Sequence, residues 1–330
     1  MASSSNFRDA PDGSDPPRAR PVSSTSAAIG ASMGAMASSA LDQPVTRTVV
    51  ATPDPPPVGI PNPIHAADGA SSAGYAGALV AGVRTYGWVA EAVIEVLGAG
   101  WLDDGWAEVT LRRPLYAGEL VTITVVASVA AVDARTVSAA VGDRVVLDGA
   151  VGLGRASWAG DIGPPAPCPG LDPPALRPTY TIDTAPVGEA LRPLGVYVSA
   201  IGARHVALDD LGQTVSHVPD GRLHPWFLAA RVAPLTRHNF TYGPTIHVRT
   251  QIQHMGPARA EQGVVVGARI VETYERNGHW YQVLDGLVVG GDGAPDCSEM
   301  ARIRHHTIFR PRGTIMPAPM TADLPADVHE

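Results

Sequence analysis

The sequence predicts an α+β fold made of one unit used twice, with two long central helices, each wrapped by an antiparallel β-sheet. Three observations predict it. A helical run is followed by several Val- and Thr-rich runs, and this order appears on both sides of a Pro-rich stretch. That stretch, residues 160–178, holds Gly-Pro-Pro-Ala-Pro-Cys-Pro-Gly and a further Pro-Pro, and it reads as a linker. Val146-Leu147-Asp148-Gly149-Ala150-Val151 before it matches Val283-Leu284-Asp285-Gly286-Leu287-Val288 after it, as a duplicated unit would.

The elements follow in chain order. Residues 1–43 are rich in Ser, Ala and Pro and cannot bury enough surface to offset the entropy of ordering; they are predicted to be a disordered leader. The N-terminal unit, residues 44–159, opens with six prolines between 53 and 63, a stiff extended segment. From about Ser72 to Leu97 apolar residues recur at three- and four-residue steps, which predicts a helix buried on most sides. Strands are expected at 107–111, 120–132 and 137–152, where Val and Thr dominate. The C-terminal unit, residues 179–312, is expected to hold strands at 180–182 and 196–201 and a helix starting near His224-Pro225. Strands at 245–254, 264–274, 279–289 and 303–309 follow, and residues 313–330 read as a flexible tail.

Composition removes several functions. The chain has 330 residues, a formal charge of −8 and no basic run, so it lacks the cationic footprint of nucleic-acid binding. All 24 basic residues are arginine, which excludes chemistry that needs a lysine of the chain, such as a Schiff base or a Walker-type phosphate loop. Cys168 and Cys297 are isolated, which gives neither a disulfide framework nor a CxxC metal site and suits a cytoplasmic protein. No apolar run reaches the ~18 residues of a membrane span. The N-terminus lacks the charged-then-apolar order of a signal peptide.

The segment that carries chemistry is Asn62-Pro63-Ile64-His65, followed by a glycine-spaced apolar stretch to Gly82 and Val83. This order resembles the hydratase motif of the MaoC-like acyl dehydratases, the (R)-specific enoyl-CoA hydratase group. In that group Asn-Pro-Ile/Leu-His precedes a buried central helix. Arg112-Arg113-Pro114-Leu115-Tyr116-Ala117-Gly118-Glu119 is similar to the turn between the second and third strands of that family. In the second unit, Gly-Pro-Thr-Ile-His-Val, Tyr-Glu-Arg-Asn-Gly-His and Arg-His-His-Thr-Ile look like the second half of bacterial acyl-dehydratase-like proteins.

The resemblance implies a double hot-dog fold acting on the 2-enoyl or 3-hydroxyacyl thioester of CoA or a carrier protein, with no cofactor and no metal. It implies His65 as acid/base, Asn62 beside it, and the helix amides near Gly82 as the oxyanion hole. The family places an aspartate two residues before the Asn, where this chain has Ile60. Asp68 is the nearest carboxylate after His65. Arg84, Arg112 and Arg113 are candidates for the phosphates of the substrate carrier, because arginine forks match phosphate geometry. Tyr86 is a further substrate-binding candidate on the helix, although the aromatics there are better assigned to core packing. His224, before a proline at a predicted helix start, is the candidate from the second unit.

Nine of the eleven histidines fall in the second unit, and their spacings form no HxxxH or HExxH pattern, which argues against zinc. His247 and His254, seven apart in one strand, are expected to face opposite sides. Three readings stay open: a hydratase or dehydratase; an acyl-thioesterase using Glu91 or Glu95 of the helix; and an inactive acyl-binding or partner subunit. A homodimer or a heteromeric hydratase complex is the expected assembly.

Overall fold

The computed structural model describes residues 44–54, 61–128, 133–213, 215–241, 243–291, 293–294 and 297–321. The predicted leader, Ile60 and residues 322–330 of the tail lie outside the described residues.

In the first unit the described elements are β1 (Val45–Val50), α1 (Ala67–Ser72), α2 (Gly82–Leu97), the single turn α3 (Trp101–Asp104), β2 (Trp106–Leu111), β3 (Leu120–Ala127), β4 (Ala134–Val141) and β5 (Arg144–Gly152). After a two-residue strand β6 (Leu176–Arg177) come β7 (Leu194–Val198), α4 (Ala200–His205), α5 (Pro225–Ala230), α6 (Val232–Asn239), β8 (Ile246–His254), β9 (Gln262–Arg276), β10 (His279–Gly290) and β11 (Ser298–Arg310). A final short strand, β12 (Met320–Thr321), pairs with β6.

Ten strands form one antiparallel sheet in the order β1-β3-β4-β5-β2-β8-β11-β10-β9-β7. Read inward from its two edges, the order is the same: β1-β3-β4-β5-β2 and β7-β9-β10-β11-β8. The duplication is therefore real in topology. The matching Val-Leu-Asp-Gly segments are not its record, however. They lie on β5 and β10, whereas this order makes β11 the equivalent of β5 and β4 the equivalent of β10. The halves join where β2 pairs with β8, from Trp106 opposite Gln253 to Thr110 opposite Arg249.

Several elements depart from their predicted bounds for local reasons. The central helix starts at Gly82 and not near Ser72, because residues 73–81 spend their backbone groups elsewhere: Leu79 N bonds Ile64 O, and Val80 N bonds Leu115 O. The predicted strand 137–152 is a hairpin, turned at Gly142 with φ +55°. The strand expected at 120–132 ends at Ala127, and residues 129–132 lie outside the described residues. Residues 180–182 form no strand; Tyr180 is instead packed between the rings of Phe240 and Phe309. In the second unit the long helix is broken into α5 and α6. A continuous helix would need an N–H at Pro234 to bond Ala230, and proline has none.

Helix α2 is buried over every residue from Arg84 to Ile94 and ends at Gly98, φ +79°. It packs closely on the second unit at Gly87, where a Cβ would lie 2.8 Å from a Leu211 methyl and 3.2 Å from Trp226 Cβ. The Trp88 indole N–H donates to Leu211 O at 2.7 Å. Each Å² of apolar surface that a helix buried on all sides withdraws from water stabilises by about 25 cal/mol, so α2 anchors the core against both halves. No helix among the described residues is long and apolar enough to cross a membrane.

Candidate functional site

The N-terminal end of α2 opens into a cavity of about 770 Å³ lined by both units. Two features keep this helix end open. Its N-cap is Ala81, which has no side chain able to cap it. The Arg84 and Thr85 amides turn back onto Ala81 O at 2.9 and 3.2 Å, and the amides of Gly82 and Val83 have no hydrogen-bond partner among the described residues. Unpaired amides at a helix start attract negative charge.

His65 ends a 3-10 turn, Pro63–His65, that Asn62 caps by accepting from Ile64 N–H. The same Asn62 amide nitrogen stands 3.2 Å from His65 Nε2 and donates to Thr245 O at 2.9 Å. Because Asn62 Nδ2 can only donate, His65 Nε2 is the acceptor and Nδ1 carries the proton. That Nδ1–H lies 2.7 Å from Leu79 O and 3.0 Å from Asp54 Oδ2. Asp54 Oδ2 also accepts the Ala81 N–H at 2.9 Å, which fixes the carboxylate at the helix entrance. A carboxylate–imidazole pair thus sits beside the open amides of α2.

Asp54 is the residue that reading the sequence overlooked. It is the sole carboxylate between Asp42 and Asp68 and is flanked by Pro53 and Pro55. The signal that could have found it is its isolation as a carboxylate among prolines just before the motif.

The second unit supplies the opposite wall. His247 and His305 both line the cavity, their rings tilted by 37° with centroids 4.4 Å apart. Thr250 bridges them, with Oγ1 2.6 Å from His247 Nε2 and 2.9 Å from His305 Nδ1. A bulge in β8, between the Thr307–His247 and His306–Arg249 pairs, puts His247 and Thr250 on one face although they are three residues apart. It also places His247 and His254 on the same face, which corrects the expectation drawn from simple alternation. Burial, reinforced by His306, pushes the His247 imidazole down to about 3. Burial, reinforced by His247 and His306, pushes His305 well down. Both are neutral near pH 7.

Of the other residues singled out from the sequence, Gly82, Arg112 and Arg113 line the cavity. Arg112 is engaged by both Asp148 oxygens at 2.9 Å. The structure does not bring Asp68, Arg84, Tyr86 or His224 to the cavity lining. Asp68 is exposed in the first turn of α1. Arg84 is buried and donates to Thr52 Oγ1 at 2.7 and 3.1 Å, and Tyr86 is buried in the core. His224 caps α5, its Nδ1 accepting from Trp226 N–H, while its Nε2 meets Glu91 at 3.1 Å. Glu91 also accepts from Ser216 Oγ and His217 N–H. Glu95 pairs with Arg47 at 2.8 Å. Among the described residues no group of three or more His, Cys, Asp or Glu is placed to hold a metal ion.

No family model matches this chain, and no curated protein matches it. Solved structures do. One is a proposed dehydratase with a MaoC domain from Chloroflexus aurantiacus J-10-fl, 13% identical, with a TM-score of 0.54 over 82% of this chain and 95% of the other. Another is RV0216, a conserved hypothetical protein of Mycobacterium tuberculosis with a double hot-dog fold, 14% identical, with a TM-score of 0.52 over 81% of this chain and 96% of the other. At such identities the likeness is one of fold. Together with the mirrored strand order and the buried helix it makes this chain a double hot-dog protein.

Proposed function

We propose that the chain hydrates 2-enoyl thioesters, or dehydrates 3-hydroxyacyl thioesters, in the cavity between its two units. The observation that carries this reading is the Asp54–His65 pair held beside the open amides of α2. Hydration needs a group that moves a proton between water and Cα, and donors for the oxygen that takes up charge. In this reading Asp54 accepts a proton from water as the water oxygen bonds Cβ. The Cα=Cβ electron pair moves onto the thioester oxygen, which the Gly82 and Val83 amides hold. The carboxyl then returns the proton to Cα as the enolate collapses. His65 Nδ1–H steadies the carboxylate throughout. Dehydration runs the same steps backwards.

The fold of the MaoC domain protein supports the reading, as does the likeness of Asn62-Pro63-Ile64-His65 to the hydratase motif. Asp54 offers the carboxylate that Ile60 cannot. The thioesterase reading loses its nucleophile or base, because Glu91 is buried among residues 216–224 and Glu95 is paired with Arg47. Arg112 and Arg113 are both exposed on the cavity lining, and with Arg112 engaged by Asp148, Arg113 is the one suited to a phosphate of CoA or of a carrier-protein arm. The test is incubation of the purified full chain with crotonyl-CoA and a longer 2-enoyl-CoA, following loss of enone absorbance. Hydration of either is expected. No hydration of any enoyl thioester, with the protein folded, would favour the acyl-binding subunit.

A further inference from the structure

The bridged histidines of the second unit belong to neither the hydratase-like motif nor any step above, yet they stand at the same helix end. We propose that His247, set by Thr250 and His305, donates a hydrogen bond from Nδ1 to the thioester oxygen and completes an oxyanion site shared by the two units. This rests on the reaction assigned to the cavity, whose substrate it assumes.

The first support is position. A Cβ built on Gly82 would lie 2.8 Å from His247 Nδ1. The imidazole edge of His247 therefore meets the start of α2, where the Gly82 and Val83 amides open into the cavity. The absence of a side chain at residue 82 is what admits the imidazole so close. The second support is an unmet bond. His247 Nδ1 is covered and makes no hydrogen bond among the described residues, whereas Nε2 is taken by Thr250. Leaving such an atom unpaired costs on the order of 1–3 kcal/mol, which an acceptor admitted by a small shift of the imidazole away from Gly82 would recover.

The third support is the chain of bonds behind it. The Thr250 hydroxyl has one proton and touches two imidazole nitrogens, so it donates to one and accepts from the other. With Thr250 donating to His247 Nε2, His247 carries its proton on Nδ1, and His305 donates from Nδ1 to Thr250. An Nδ1 donor on His247 requires this order of the two that a single hydroxyl proton allows, and Thr250 and His305, each 1% exposed, are shielded from exchange with water. A neutral imidazole is the better donor here, because it presents an N–H to a developing oxyanion without giving the proton away. Burial keeps His247 neutral.

The test uses the full chain with two probes. With crotonyl-CoA, His247→Phe should lower kcat by ~100-fold, the usual loss of one oxyanion donor, with KM changed much less. His247→Asn places an amide N–H near the Nδ1 position and should recover part of kcat. His247→Gln reaches only the Nε2 position and should not. Thr250→Val, which frees the tautomer without touching substrate, should lower kcat by a smaller factor, and it serves if His247→Phe fails to fold. With acetoacetyl-CoA, whose enolate absorbs in the near ultraviolet, the wild type should raise enolate absorbance and His247→Phe should abolish the rise.

If the wild type hydrates crotonyl-CoA while a folded His247→Phe keeps both kcat and the enolate signal, this role for His247 is overturned and the assignment of Asp54 and His65 stands. If the wild type hydrates nothing, the hydratase reading fails, and the acetoacetyl-CoA measurement alone decides. An enolate signal that depends on His247 supports the shared oxyanion site. A signal absent from the wild type, or independent of His247, overturns it.

Discussion

Asn62 takes the place of a strand partner for Thr245. Its Oδ1 accepts the Thr245 N–H at 3.1 Å and its Nδ2 donates to Thr245 O at 2.9 Å, so one side chain pairs both backbone groups of a residue 183 positions away. The same amide orients His65. Thr245 stands two residues before His247, so this clamp fixes the spacing between the two walls of the cavity.

Asn62→Ala should therefore destabilise the protein by about 1–3 kcal/mol, because Thr245 is buried and keeps two unpaired groups. Asn62→Asp should cost nearly as much, since a carboxylate cannot donate to Thr245 O. Urea unfolding measures this. An unchanged midpoint in both variants would mean that the clamp contributes nothing.

Asp54→Asn should separate chemistry from structure. An asparagine oxygen can still accept the Ala81 N–H, so the fold should survive within about 1 kcal/mol. It cannot take a proton from water, so hydration should fall by ~100-fold or more. The paired measurements are thermal unfolding and the rate on crotonyl-CoA. Retained activity would move the base to His65 alone. With Asp54 as the base, adding the motif carboxylate by Ile60→Asp should leave the wild-type rate on crotonyl-CoA unimproved.

The motif itself was legible in the sequence, because Asn62, Pro63 and His65 act through local geometry that neighbouring residues set. The helix was legible too, although its start was not: residues 73–81 carry a helical pattern, but the N–H groups of Leu79, Val80 and Ala81 are claimed by Ile64, Leu115 and Asp54, which only the fold brings near. Asp54 was hidden because it stands eleven positions before His65, outside the spacing of the motif. His247 was hidden by one extra residue in β8, which inverts the alternation that strand reasoning assumes. The repeat was real, but the segments that suggested it occupy non-equivalent strands.

Gly82→Ala tests how tightly the two units meet. The new methyl would lie 2.8 Å from His247 Nδ1 and 3.0 Å from Leu111 Cγ, so the imidazole or the helix must shift. Overpacking of this kind costs about 1–3 kcal/mol, even though alanine favours the helix by itself. The expected result is lower stability together with loss of hydration. A variant that gains stability and keeps its activity would show that the walls tolerate separation.

Glu91 should control the acid limb of stability. Burial by itself would push its carboxyl up, but the hydrogen bond and charge of His224, with the Ser216 hydroxyl and the His217 N–H, hold it down to about 2 against an ordinary 4.5. A carboxylate depressed in the folded state contributes stability that is present above its unfolded value and is lost as pH falls through the folded one. The window here runs from about 4.5 down to about 2. The shift corresponds to on the order of 3 kcal/mol at neutral pH. Glu91→Gln keeps the shape but removes the charge, and it leaves the His224 Nε2–H facing an amide. Its unfolding free energy should be lower at pH 7 and should fall less steeply below pH 4.5 than that of the wild type. Urea unfolding across a pH series reads both slopes. Parallel curves for the two proteins would show that the helix and the second unit are not joined through this charge.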